Sequence, residues 1–128
     1  MAETKRGQVA VIFLGRRTVG EAEEYAAAVA AMDRLAAEQP GYLGVHSIRG
    51  EDGFGITVSY WRNMASALAW RDHPVHAAIR EKGRARWYES HEVIVTSIER
   101  SYAWEKGIQP KKRAGPEGPA HESLGEDA

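Results

Sequence analysis

Side chains able to move a proton, donate a hydrogen bond or stack on a flat guest are concentrated in one stretch, Ser59 to His91. Within these 33 residues lie three of the four tryptophans and three of the five histidines: Trp61, Trp70 and Trp87 with His73, His76 and His91, joined by Tyr60 and Tyr88. Indole N–H, phenol O–H and imidazole all need partners when buried, so crowding them in a small domain points to a polar-lined cavity as well as to core packing. The pair His73-x-x-His76 offers two nitrogen donors at a helix start. No cysteine exists in the chain, and no carboxylate occupies an obvious third position, so this spacing yields no metal site. The ordinary reading makes one of the two a helix cap, with the other facing a pocket or solvent. Arg80 and Arg84 share one helical face, and Lys82 and Arg86 another. A solvated face suits the C-terminal half of a helix; the sharper reading has one arginine orienting an acidic substrate or bridging subunits. His46 and His91, each on or beside a strand, read as structural.

The elements that must position these groups follow from periodicity. Val9 to Leu14 is a short apolar run rich in β-branched residues and reads as a strand. Glu21 to Glu38 places Ala22, Tyr25, Val29, Met32 and Ala36 at spacings of three and four, one stripe of an amphipathic helix closed by Gln39-Pro40-Gly41. Tyr42–Arg49 and Phe54–Trp61 read as strands joined by the turn Gly50-Glu51-Asp52-Gly53. Asn63 caps a helix over Met64–Arg71. Asp72-His73-Pro74 interrupts it, and a second piece runs from about Val75 to Tyr88. Glu92–Trp104 is the last strand. The order βαββαβ is that of an α+β, ferredoxin-like fold. Two helices on one sheet face leave the other face bare, and that face also carries apolar side chains. A homodimer through the sheet faces is the economical way to cover it.

At 128 residues the chain is one domain, read as residues 8–104 between a flexible N-terminus (1–7) and a disordered tail (105–128) that holds three of the five prolines and no aromatic residue. Seventeen Lys and Arg against 18 Asp and Glu argue against a nucleic-acid or membrane-surface partner. The run Lys111-Lys112-Arg113 reads as a solvated tail cluster. No apolar run reaches the length of a signal-peptide core or a membrane span, and the absence of cysteine suits a cytoplasmic location. Gly50-x-x-Gly53-x-Gly55 lies between two strands, so it is a hairpin and not a dinucleotide loop. Gly53-Phe54-Gly55-Ile56 resembles an RNA-recognition string. However, Asp52 stands where a basic residue belongs and Ser59 where an aromatic does.

Several strings together resemble the antibiotic biosynthesis monooxygenase domain family. They are Ser59-Tyr60-Trp61, Ala67-Leu68-Ala69-Trp70, His73, His76 and Gly83-Arg84 followed by Trp87-Tyr88. Pro40-Gly41-Tyr42-Leu43-Gly44 and Glu99-Arg100-Ser101-Tyr102 add to them, so that the likeness covers roughly the whole folded unit. The resemblance implies a dimeric α+β barrel with a ligand cavity between sheet and helices of each subunit. One branch of the family comprises cofactor-independent oxygenases acting on anthrone- or quinol-like molecules, in which the substrate itself supplies electrons to O2. For that branch the resemblance implies His73 or His76 as base and Trp70 and Tyr60 as hydrogen-bond donors. Arg80 or Arg84 would stand near an anionic group, with Trp61 and Trp87 on the substrate. The other branch degrades haem with a first-strand Asn, a Trp at the helix break and an axial His ten residues later. Trp70 matches, but position 80 is Arg, and the chain's one asparagine, Asn63, is not on the first strand. His76, one turn earlier, is the remaining axial candidate. The expectation is therefore an oxygenase for a small aromatic or enolisable substrate without a bound cofactor or metal. The alternatives are a haem-degrading enzyme and a non-catalytic ligand-binding dimer.

Overall fold

Strand-length apolar runs alternating with helical stripes resolve, in the computed structural model, into βαββαβ order over the described residues, 5–107. The elements are β1 (Val9–Arg17), α1 (Ala22–Ala37), β2 (Tyr42–Arg49), β3 (Phe54–Trp61), α2 (Met64–Arg71), α3 (Pro74–Lys82), a π-helical turn (Gly83–Trp87) and β4 (Tyr88–Ser97). The strands form one sheet in the order β2-β3-β1-β4, every neighbouring pair antiparallel. This is the ferredoxin-like α+β fold that the order of elements predicts.

Because side chains alternate across a strand, register decides which residues meet the helices. Val11 pairs with Ser59 and Val95, and Phe13 with Thr57 and Val93. These odd-numbered positions face the helices together with Trp61, which is fully buried. Ile12 pairs with Val58 and Ile94, and Leu14 with Ile56; this even-numbered set points to the other face.

Local chemistry sets the element ends. Asn63 caps α2, its Oδ1 accepting from Ser66 N–H at 2.8 Å. His73 adopts an extended conformation before Pro74 and caps α3, Nδ1 accepting from Val75 N–H at 3.1 Å. Gly41 reverses the chain between α1 and β2 at φ +87°, and a Cβ there would overlap Ser66 Oγ. At the head of α1, Glu21 sits in the left-handed region at φ 60°, an uncommon place for a side chain with a Cβ. Its carboxylate is held there by Arg86 at 3.0 Å.

Several boundaries differ from the sequence expectation, β1 running past Leu14 to Arg17. The second helical piece stops at Lys82 and widens into the π turn, which carries the buried Trp87 inward. As a result β4 begins at Tyr88 rather than Glu92. It ends at Ser97; beyond it Ile98 exchanges backbone bonds with Gly7 (2.9 Å) and Gln8 (2.8 Å), and Tyr102 forms an isolated bridge. Residues 5–7 are tied to this segment, with Lys5 N–H donating to Ser101 Oγ at 2.8 Å. The tail read from residue 105 lies, beyond residue 107, outside the described residues. Among the described residues no helix is long and apolar enough to cross a membrane.

Candidate functional site

Between the odd-numbered face of the sheet and the three helices lies a cavity of about 590 Å³. Its floor is Val11, Phe13, Thr57, Ser59, Val93 and Val95, and α1 contributes the stripe Tyr25, Val29, Met32, Asp33 and Ala36. The size suits a small polycyclic guest.

One end is built on the break between α2 and α3. Ending α2 at Arg71 leaves the Trp70 carbonyl with the His73 N–H at 3.1 Å but no donor from Pro74, and His76 Nδ1 meets its remaining lone pair at 2.9 Å. A carbonyl only accepts, so Nδ1 carries the hydrogen and Nε2 keeps its lone pair. The imidazole lies flat on the Trp70 indole, centroids 4.4 Å apart and planes 9° apart. Burial pushes the His76 pKa below its ordinary 6.5, with Arg80 and His73 adding to the effect against the hydrogen bond to Trp70. The group is a neutral base at neutral pH. Trp70 in turn stacks on Trp61 (6.2 Å), which meets Tyr42 edge-on (5.6 Å) and donates Nε1–H to Ser59 Oγ at 2.9 Å.

Asp33 borders the same end. Burial raises its carboxyl to about 6 from 3.8, and its charge, after burial, raises the pKa of the neighbouring Tyr42. At the opposite end Tyr25 OH accepts from Arg49 Nη2 and from Tyr88 OH at 3.0 Å, under the Arg17 guanidinium 3.9 Å from its ring centroid. His91 stacks on Phe13 at 5.5 Å and accepts Arg84 Nε–H at Nε2 over 3.4 Å. Its buried Nδ1 has no partner. Among the described residues no group of three or more His, Cys, Asp or Glu is placed to hold a metal ion.

Residues 9–82, from the start of β1 to the end of α3, match the family described as Antibiotic biosynthesis monooxygenase. The chain belongs to that family. A curated relative, Uncharacterized protein YqjZ of Bacillus subtilis (strain 168), is 55% identical over 69 residues, 54% of this chain. The match spans 60% of that relative's length. Among solved structures, SnoaB, a cofactor-independent oxygenase from Streptomyces nogalater, superposes with a TM-score of 0.65 at 15% identity, covering 77% of this chain and 99% of its own. Rv0793 from Mycobacterium tuberculosis superposes at 0.66, also 15% identical, covering 75% and 99%. At such identity these likenesses establish the fold.

Of the residues singled out by sequence, His76, Trp70, Trp61, Arg80, Arg84 and Trp87 all line the cavity between sheet and helices. Their polar atoms are not equally available. Trp87 spends its N–H on Glu24 Oε1 at 2.9 Å. Arg80 donates to the Arg71 carbonyl at 3.0 Å, and Arg84 is paired with Glu81 at 2.7 Å. Tyr60 and His73 are not in the lining. Next to Trp61 in sequence, Tyr60 must point to the other sheet face, where its OH meets His46 Nδ1 at 3.3 Å and Lys5 Nζ stands 4.9 Å from its ring centroid. His73 is committed to capping α3. Asp33 escaped the sequence reading, and His91, which reads as structural in sequence, lines the cavity. Asp33 follows Val29 by four residues and so occupies a stripe position where an apolar side chain is expected, the one signal that marks it. His91 has odd parity with Val93 and Val95 on β4, but nothing in sequence reveals its orphaned nitrogen.

The donor set does not fit haem as that branch of the family would hold it. Position 80 is a guanidinium, which presents no lone pair to iron and is engaged by the Arg71 carbonyl. Asn63 caps α2 rather than standing on β1.

Proposed function

We propose that this chain is a cofactor-independent monooxygenase acting on a small aromatic or enolisable substrate, an anthrone or quinol type of molecule. The observation that carries the reading is His76: a neutral imidazole whose Nδ1 is fixed on a backbone carbonyl, lying in an aromatic-walled cavity large enough for the substrate. A base of this kind takes a C–H or O–H proton from the guest, leaving an electron-rich carbanion or phenolate that reduces O2 directly. Water exclusion by Trp61, Trp70 and Phe13 raises the electron-donating power of that anion. SnoaB, named as a cofactor-independent oxygenase, lends the same chemistry a precedent on this fold.

The working unit of this reading is a homodimer. The even-numbered sheet face carries Ile12, Leu14 and Val58 beside Ile48, Ile56 and Ile94, the last three exposed by 57%, 36% and 39%. A second copy's sheet is the cover that matches it in area and polarity. No nucleic-acid or membrane partner belongs to the proposal, and a cysteine-free chain needs no oxidising compartment, which favours the cytoplasm.

The test is oxygen uptake with a tricyclic anthrone in the presence of a chelator and no added flavin. The expected result is one O2 consumed per quinone formed, and a loss of about 100-fold in His76→Gln. Uptake equal to the protein-free blank refutes the reading; tight binding of anthraquinone without uptake would support a non-catalytic ligand-binding module instead. Haemin addition is expected to give no sharp Soret shift, and a stoichiometric spectrum abolished by His76→Ala would promote haem chemistry.

A further inference from the structure

Asp33 is a carboxyl that packing does not need. It shares the cavity face of α1 with Tyr25 and Val29, and its neighbours on that face, Met32 and Ala36, are apolar. Among the described residues no hydrogen bond or ion pair reaches it, and burial alone accounts for its raised pKa of about 6. The charged groups that face the cavity from the other helices are engaged elsewhere. Arg71 is paired with Asp72 at 2.8 Å, Arg80 with the Arg71 carbonyl, and Arg84 with Glu81. Tyr42, from the start of β2, is the titratable group that feels Asp33's charge. None of these cations is paired with the carboxyl, and desolvation is what sets its proton affinity.

Its location relative to the base is set by a chain of rings. Asp33 stands beside Tyr42, Tyr42 meets Trp61 at 5.6 Å, Trp61 stacks on Trp70 at 6.2 Å, and Trp70 carries His76 at 4.4 Å. Carboxyl and imidazole thus border one end of the cavity around the buried indole of Trp61. They differ in kind: His76 rests neutral with a lone pair, while the carboxyl retains its proton far more readily than an exposed aspartate does.

We propose that Asp33 is the acid of this site, the group that protonates the peroxide and then drives loss of water from it. The assignment rests on the oxygenase reading above. A substrate carbon bearing two hydrogens loses the first as a proton to His76 Nε2, its electron pair staying on carbon. The carbanion forms a C–O bond to O2, giving a peroxide anion. Asp33 delivers its proton to the distal oxygen and becomes a carboxylate. That carboxylate removes the second C–H proton as the C=O bond forms and the O–O bond breaks. The departing hydroxide takes the proton held on His76 and leaves as water. Both side chains return to their starting states. Carbon has lost four electrons, and O2 has gained them, one oxygen ending in the carbonyl and the other in water.

The experiment compares wild type, Asp33→Asn and Asp33→Glu with a tricyclic anthrone. Quinone formation in air is measured beside anaerobic exchange of the substrate C–H for deuterium, which reads the His76 step alone. Asp33→Asn is expected to reduce quinone formation about 100-fold more than exchange, and Asp33→Glu to recover part of the loss. The wild-type rate is expected to fall at acid pH as His76 charges and at alkaline pH as Asp33 loses its proton; the alkaline limb disappears in Asp33→Asn. Circular dichroism verifies that the variants fold. Equal losses of exchange and quinone formation, or quinone formation within about twofold of wild type, overturn the assignment while leaving the oxygenase reading intact. Absence of wild-type oxygen uptake overturns that reading first. Independently of turnover, the ¹³C resonance of the Asp33 carboxyl is expected to titrate near 6 and to move upward when anthraquinone fills the cavity. An ordinary midpoint indifferent to anthraquinone would also refute the assignment.

Discussion

Replacing Asp33 by Asn should make the protein more stable at alkaline pH, although the substitution falls in the candidate site. An ionised carboxyl in the cavity lacks the solvation it has in the unfolded chain, and none of the cavity's arginines is paired with it to replace that solvation. Its pKa of about 6 against 3.8 corresponds to about 3 kcal/mol of destabilisation at most. The group is only half-buried, so solvent screening lowers the figure to about 1–2 kcal/mol. The sign follows from linkage. Below pH 3.8 Asp33 is protonated in both states and costs nothing; the penalty builds as pH rises from 3.8 to about 6 and is fully present above that. Asparagine keeps the shape and removes the titration. For a folded unit of about 100 residues the gain amounts to about 5–10 °C in the thermal midpoint. Thermal unfolding followed by far-ultraviolet circular dichroism, at one pH above and one below both pKa values, measures it. The reasoning fails if the variant melts at or below wild type in alkali, or if its advantage persists undiminished in acid.

Three further outcomes follow from the geometry. Gly41→Ala should cost about 2–4 kcal/mol in urea unfolding, and adding Ser66→Gly should return only the part due to overlap, since the strain at φ +87° remains. Glu24, held at about 2 by Trp87 first, then Arg86 and Lys82, contributes stability that is present above 4.5 and is lost as pH falls toward 2. Glu24→Gln should therefore lower the melting midpoint at neutral pH, with the difference from wild type vanishing in acid. Ile94→Lys, on the uncovered sheet face, is expected to convert a dimer to a well-folded monomer in light scattering; an unchanged dimer would move the interface elsewhere.

The order of elements was readable because period-2 and period-3.6 patterns are long here and the breaks carry strong chemistry. Asp72-His73-Pro74 ends one helix and starts another at the expected residues. What could not be read depended on contacts across the fold. The π turn arises where Trp87 swings in to meet Glu24, 63 positions away, and helical propensity alone extends α3 through it. The choice of Tyr60 as a site residue failed on parity: either Tyr60 or Trp61 can face the helices, and only the pairing of Trp61 with Val9 within the buried cluster fixes which. His73 and His76 were indistinguishable as types. The capping geometry beside Pro74 assigns one, and the Trp70 carbonyl the other. Asp33 was visible in principle as a carboxylate inside an apolar stripe, but only its lack of a partner makes that informative.

The stacking of His76 on Trp70 has an optical consequence. A protonated imidazole quenches an indole that it lies against, whereas a neutral one does so weakly. The charge of the base is therefore carried by the Trp70 contribution to the emission, beside those of Trp61, Trp87 and the exposed Trp104. A guest sliding against this ring pair would alter the same signal, so the protein carries its own dye for following ionisation and occupancy without a label.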